Sequence, residues 1–142
     1  KNLLDMIPNN SVITPHPGEF DRLFGKHNSG YERLVTAIKM AEKLGVVIVV
    51  KGAYTQVVLP SGQVYFNSTG NPGMATGGSG DVLSGIITSL LAQGYKLEDA
   101  AIVGVYVHGA AGDIAATKLG YQALSAIDII NSLGAAFLQI YQ

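Results

Sequence analysis

Apolar and polar positions follow two textures along this chain. Ser11-Val12-Ile13-Thr14 is a short apolar run closed by Pro15-His16-Pro17-Gly18. It predicts a buried strand entering a stiff loop, then a helix over Pro17–Phe24 ended by Gly25. Within residues 31–44, Leu34, Val35, Ile38, Ala41 and Leu44 recur at a helical period, and Gly45 is the expected stop. Residues 46–50, Val46-Val47-Ile48-Val49-Val50, are all β-branched without alternation. Such a run fits a strand buried on both faces, as in a parallel sheet. Strand, helix and strand in this order predict a right-handed crossover unit.

The second texture begins at Thr55. Residues 55–59 and 63–66 flank Pro60-Ser61-Gly62 and read as a β-hairpin. A glycine-rich segment follows, Asn71-Pro72-Gly73-Met74-Ala75-Thr76-Gly77-Gly78-Ser79-Gly80-Asp81. Residues 82–93 carry no charge and predict a helix buried on most sides. A long helix is expected from Leu97 to about Lys118, with Glu98 and Asp99 in its first turn. The last helix is expected over residues 125–141, with Ser125 at its start and Asp128 three positions on, a weak form of the capping box. No repeat or internal linker is visible.

Composition narrows the function classes. The 142 residues suffice for one ordinary domain, and a chain of this length buries roughly 70% of its unfolded surface. Hydrophobic residues make up 48% and charged residues 13%, so part of the apolar surface is expected to face another layer or partner. A net charge of −1 and the lack of a basic run argue against nucleic acid and anionic membranes as partners. No cysteine is present, which removes disulfides and thiolate chemistry. No uninterrupted apolar run reaches the roughly 18 residues of a membrane span. Lys1-Asn2-Leu3-Leu4-Asp5 lacks both a signal peptide's apolar stretch and an initiator methionine. The expectation is a cytoplasmic protein whose chain begins inside a longer one.

Three segments carry chemistry. Asp81 is the only charged residue between Lys51 and Lys96, and it adjoins Gly77-Gly78-Ser79-Gly80. Glycines permit positive φ and bring backbone N–H groups close to a ligand, so the turn can form an anion nest at a helix start. A carboxylate beside it can take a proton from a substrate hydroxyl. The plainer alternative is that Asp81 caps the helix and the glycines only turn the chain. The second segment, Lys51-Gly52-Ala53-Tyr54-Thr55, leaves the end of a buried strand, where ligands of open α/β sheets gather. Lys51 can neutralise phosphate there, or the segment can be a plain turn with a solvated lysine. The third segment, Thr14-Pro15-His16-Pro17-Gly18-Glu19, leaves the other strand and by the same rule faces the same crevice. His16 can contact a polar substrate and Glu19 a hydrated Mg²⁺, although a loop histidine and a first-turn acid explain them as simply. His108 and Asp113 lie five apart on one helix and read as packing or satisfied polar contacts. His27 reads as an exposed loop residue. Neither a P-loop nor a Gly-x-Gly-x-x-Gly fingerprint is present, because Leu83 stands where the latter needs glycine. No histidine–carboxylate cluster has metal-ligand spacing.

In order and spacing these motifs, with the glycine-rich one taken from Thr69-Gly70 through Asp81, and continued by Tyr106-Val107-His108-Gly109-Ala110-Ala111-Gly112-Asp113, resemble those of the ADP/ATP-dependent NAD(P)H-hydrate dehydratases. That family has the carbohydrate-kinase-like domain of the ribokinase-like superfamily. The resemblance implies a three-layer α/β/α ribokinase-like domain, with a β-hairpin inserted before the glycine-rich loop. The family domain is roughly twice as long, so residues 1–142 are expected to be the C-terminal half of a single domain. The implied reaction is repair of hydrated NADH or NADPH, in which a nucleotide phosphorylates the hydrate's hydroxyl and phosphate is then eliminated. ADP or ATP and Mg²⁺ are the implied cofactors, and an NAD(P)H-hydrate epimerase, fused or separate, an implied partner. By motif, Asp81 activates the hydroxyl and touches the substrate, while Gly78, Ser79 and Gly80 form the anion hole, Gly80 also lying near the nucleotide. Lys51, Gly52, Ala53, Tyr54 and Thr55 bind the nucleotide, His16 the hydrated cofactor, and Glu19 joins the Mg²⁺ and water network. Histidine at position 16, where related kinases carry asparagine, favours the dehydratase. Two alternatives stay open: a ribokinase-like kinase for a sugar or vitamin precursor, and a noncatalytic nucleotide-binding or oligomerising module. Residues 82–93 and the apolar last helix lead us to expect a homo-oligomer.

Overall fold

The structure, a computed structural model, describes residues 3–140. It divides into two compact units, one ending at Phe66 and the other beginning at Asn67. Tyr141, the expected end of the last helix, lies outside the described residues.

In the first unit a 3₁₀ turn, Leu3–Met6, precedes a four-stranded sheet of order β1-β2-β3-β4. Strand β1 (Val12–Ile13) runs parallel to β2 (Val47–Val50), with Val12 opposite Val47. The connection carries α1 (Pro17–Phe24) and α2 (Gly30–Leu44), as the periodicity predicted. Gly45 ends α2 in the left-handed region, at φ 62° and ψ 37°, and donates back to Ala41 and Glu42. Strand β3 (Gln56–Val58) is antiparallel to β2, and β4 (Val64–Phe66) closes the predicted hairpin. Every residue of β2 is buried, as its unbroken β-branched run implied. Val46, Ile48 and Val50 pack with Phe20, Ala37 and Ala41 into this unit's core. Strand β1 departs from expectation. It is only two residues long and half-buried, because within the described sheet it pairs on one side only.

His27 is a second correction. Its side chain is 9% exposed, and its ring lies 5.4 Å from that of Phe20. Nδ1 meets Asp21 Oδ1 at 2.9 Å and Nε2 meets Thr36 Oγ1 at 2.9 Å. Arg33 donates to both Asp21 oxygens, each at 2.9 Å. Polar partners from α1 and α2 thus draw a loop histidine inward. The Arg33 bonds, then that of His27, hold the Asp21 carboxyl far below its ordinary value of 3.8. A depressed carboxylate contributes stability above its unfolded pKa and loses it as pH falls. This unit is therefore expected to lose stability steadily below about pH 4. Asp21→Asn is expected to lower the melting temperature at pH 7 and flatten its fall with acid. Thermal melts from pH 7 to pH 2 check this, and parallel curves for wild type and variant would remove Asp21 as the cause.

In the second unit, a loop with a 3₁₀ turn at Pro72–Met74 leads into three helices. These are α3 (Ser79–Ala92), α4 (Leu97–Leu119) and α5 (Ala126–Ile140). Helix α4 packs on both α3 and α5. Its small residues allow this: a Cβ on Gly104 would lie 2.7 Å from Ile87 Cγ1 of α3. With 23 residues, α4 is long and apolar enough by length and composition to cross a bilayer, although Asp113 interrupts its apolar run. Alanine and glycine carry it into the unit's core instead, with Ala100, Ala101, Gly104, Val105 and Val107 buried. Helix α3 also differs from expectation. It begins three residues early, at Ser79, and exposes Asp81, Ser84, Gly85, Thr88 and Ser89 while burying Leu83, Ile86, Ile87 and Leu90. An uncharged helix is thus amphipathic through its serines, threonine and glycine. At α5 the expected box is half formed, since Asp128 Oδ2 accepts from the Ser125 N–H at 2.9 Å and from its hydroxyl.

Candidate functional site

In the first unit, the ends of β1 and β2 lie together. The Lys51 N–H donates to the Pro15 carbonyl at 2.9 Å, so Lys51 leaves β2 beside the loop that leaves β1. His16 is the N-cap of α1. Its Nδ1 accepts from the N–H groups of Gly18 (3.1 Å) and Glu19 (3.3 Å). An accepting Nδ1 carries no proton, so the ring proton is on Nε2, which lies 3.3 Å from Glu19 Oε1. Glu19 completes a capping box by accepting the His16 N–H on Oε2 at 2.7 Å. The same Oε2 is 3.6 Å from Lys51 Nζ. The Glu19 carboxyl is held below its ordinary value, chiefly by the His16 backbone bond and then by Lys51. Both Glu19 oxygens therefore have protein partners, and the helix-start explanation of Glu19 accounts for its geometry.

Residues 52–54 beyond Lys51 are exposed. Thr55 fixes their turn: its hydroxyl donates to the Gly52 carbonyl at 3.1 Å and lies 3.3 Å from the Gly52 N–H. Tyr54 stands 74% exposed. The next residue, Gln56, has a buried Oε1 with no partner among the described residues. A side-chain oxygen left so is uncommon and usually marks an unfilled contact.

In the second unit, Gly78 is the N-cap of α3, at φ 86° and ψ −14°, with no side-chain cap. Asp81 is the third residue of the helix and is exposed. The capping explanation of Asp81 therefore fails, because the cap is a glycine three residues earlier. The Ser79 N–H donates to Thr76 at 3.3 Å and the Val82 N–H to Gly78 at 3.0 Å. Gly80 and Asp81 belong to the first turn, whose N–H groups have no acceptor inside a helix. A Cβ at Gly77 would meet nothing within 4 Å, so the approach to this turn is open. Open amides, a positive helix end and a free-standing carboxylate suit an anion that receives a proton-bearing nucleophile.

The loop before this turn is tied to α4 by pairings that spacing along the chain does not reveal. Thr69 Oγ1 donates to the Tyr106 carbonyl at 2.9 Å, and Asn67 Nδ2 donates to Thr69 Oγ1 at 3.0 Å. Asp113 accepts from the Gly70 N–H at 2.8 Å and from Asn71 Nδ2 at 2.9 Å. His108 Nε2 meets the Ser79 carbonyl at 2.9 Å and Ser79 Oγ at 3.2 Å. The expected satisfied polar contacts of His108 and Asp113 are present, and their partners are the loop itself. The run Gly109-Ala110-Ala111-Gly112 was the available signal, since small residues on one helix admit a close backbone. Among the described residues no three histidine, cysteine or acidic side chains cluster to hold a metal.

A family model for NAD(P)H-hydrate dehydratase matches residues 3–133. The chain is 52% identical over 124 residues to the bifunctional NAD(P)H-hydrate repair enzyme Nnr of Moorella thermoacetica, covering 86% of this chain and 23% of that one. It is 43% identical over 116 residues to the ADP-dependent (S)-NAD(P)H-hydrate dehydratase of Neisseria meningitidis, covering 80% and 39%. Its fold matches the crystal structure of the Bacillus subtilis ADP/ATP-dependent NAD(P)H-hydrate dehydratase, co-crystallised with ATP and Mg²⁺. There the TM-score is 0.84 at 33% identity, covering 90% of this chain and 47% of that one. A ribokinase-like superfamily protein of Enterococcus faecalis matches with TM-score 0.77 at 34% identity. The chain thus spans under half the length of these relatives.

Proposed function

The chain belongs to the NAD(P)H-hydrate dehydratase family, and from this premise we propose that its parent protein repairs hydrated NADH or NADPH. In this reading residues 1–142 are the C-terminal part of one ribokinase-like domain. The observation that carries it is the start of α3. Asp81 stands exposed in the first turn and is released from capping by Gly78. Its carboxylate takes the proton of the hydrate's hydroxyl as that oxygen attacks a nucleotide phosphorus. The amides of Gly78 and Gly80 receive the transferring oxygens, that of Ser79 already donating to Thr76; the nucleotide departs one phosphate shorter, and loss of phosphate together with an adjacent ring proton then restores the reduced nicotinamide.

Residues 51–55 bind the nucleotide in this proposal, with the Lys51 ammonium against phosphate and the exposed turn 52–54 offering its backbone. His16 contacts the hydrated cofactor with its exposed edge while its Nδ1 caps α1. Mg²⁺ would neutralise the nucleotide phosphates, and Glu19 would act on it only through water, since its oxygens are held by His16 and Lys51. The absence of a three-ligand cluster among the described residues fits a metal carried in by the nucleotide. The choice between ADP and ATP, a cytoplasmic location and an epimerase partner belong to the same proposal. The relatives named bifunctional leave room for a second activity beside this one.

The test is recovery of the reduced-nicotinamide absorbance from hydrated NADH with Mg²⁺ and ADP or ATP. No recovery from the full-length parent would sink the dehydratase reading. Calorimetry of the 142-residue chain with AMP, ADP and ATP distinguishes the module reading. Binding without turnover in the parent favours a module, whereas turnover in the parent removes it. Self-association is proposed through α5, where Ile127, Ile130 and Leu138 stand 67%, 50% and 65% exposed, Ile130 about one turn and Leu138 about three turns after Ile127. Helix α3 does not support it, because its exposed face is polar. A clean monomer in sedimentation counts against the proposal.

A further inference from the structure

We infer that His108 is a positioning residue for the phosphoryl-accepting turn, fixing it from behind through the Ser79 carbonyl. The inference rests on the dehydratase reading of that turn. A carbonyl oxygen only accepts, so the 2.9 Å contact requires a proton on His108 Nε2. Ser79 Oγ, 3.2 Å from the same nitrogen, shares that proton as an acceptor. The pair is therefore not a serine nucleophile with its general base, because the nitrogen facing the hydroxyl has no lone pair to offer. Ser79 is 6% exposed, which keeps the bond away from bulk water.

Position explains why this bond matters. Ser79 is the first residue of α3, between Gly78 and Gly80. Glycine at both neighbours leaves the turn little intrinsic stiffness, and Gly78 supplies no side-chain cap. The turn nevertheless has to hold its amides and Asp81 in one orientation, since preorganised donors act only where they already point. His108 reaches across from α4, 29 residues along the chain, to pin the peptide plane following Ser79. The Gly80 N–H belongs to that same plane. Fixing the carbonyl therefore fixes the direction of that amide. Asp113 and Thr69 secure the opposite end of the loop at Gly70, Asn71 and the Tyr106 carbonyl. His108 alone of these acts on the turn itself.

The test compares His108→Leu, which removes the donor, with His108→Gln, whose amide nitrogen can reach the same carbonyl. In the active parent enzyme His108→Leu is expected to lower kcat by about 10²-fold, the effect of a misplacement near 1 Å. KM for the nucleotide and the melting temperature are expected to stay near wild type, and His108→Gln to recover most of the rate. An unchanged kcat in His108→Leu, equal losses in both variants, or a loss that tracks the melting temperature overturns the inference. A second measurement needs no turnover. In the 142-residue chain, the amide NMR signals of Ser79, Gly80 and Asp81 are expected to move in His108→Leu and return in His108→Gln. Unmoved signals overturn the inference. Wild-type parent without turnover on hydrated NADH sinks the dehydratase reading instead.

Discussion

Asp81→Asn is expected to abolish turnover of hydrated NADH while nucleotide still binds. The size follows from the role. A positioned general base contributes about 10²–10⁴-fold, and the amide of asparagine cannot take a proton at neutral pH. Little else should change, because the carboxylate is exposed and caps nothing; the α3 cap is Gly78. Asparagine keeps the volume of aspartate, so the turn is not repacked. The prediction is a loss of kcat with near-normal nucleotide affinity by calorimetry and a near-normal melting temperature. If Asp81 were a dipole-favouring first-turn acid instead, the outcome would invert: a small loss of stability, typically about 0.3–1 kcal/mol, and normal turnover. Kinetics and a thermal melt on one preparation decide between these. Near-normal kcat removes Asp81 as the base.

Local signals were legible in the sequence, and long-range partners were not. Five β-branched residues at 46–50 could only sit as a buried strand, and β2 is buried throughout. Gly45 marked the end of α2 because a left-handed C-terminal turn favours glycine. The start of α3 was misjudged for the same local reason. Hydrophobic periodicity begins at Val82, but a helix can start earlier through glycines that carry no pattern, here at Ser79 behind a left-handed Gly78. His16 was legible as a site candidate, yet its use as a cap depends on ring geometry that spacing does not encode. His27 was misplaced because Asp21, Arg33 and Thr36 meet only once α1 and α2 pack. His108 and Asp113 were recognisable as polar residues needing partners. Those partners lie 29 and 43 residues away, a separation that no local pattern reveals.

Gly109→Ala is expected to dislodge the whole loop, and Gly112→Ala to disturb it far less. Both glycines lie inside α4, where alanine is intrinsically better by about 0.8–1.0 kcal/mol. Contacts reverse that preference at Gly109. A Cβ there would lie 2.7 Å from the Thr69 backbone carbon and 2.8 Å from its Cβ. These atoms cannot swing aside, because Thr69 is tied to the Tyr106 carbonyl and to Asn67. Forced overpacking of this kind costs about 1–3 kcal/mol, occasionally more, so it outweighs the helical gain. The expected result is a lower melting temperature and loss of turnover, since relief requires the Thr69 anchor to break and residues 69–78 to shift. At Gly112 the obstacle is the side chain of Met74, an unbranched chain with several rotatable bonds that can repack. There the helical gain offsets more of the strain, and the melting temperature should fall less. Equal losses in the two variants would mean that α4 tolerates no Cβ on this face at all, and that the anchored Thr69 has no special part in placing the loop.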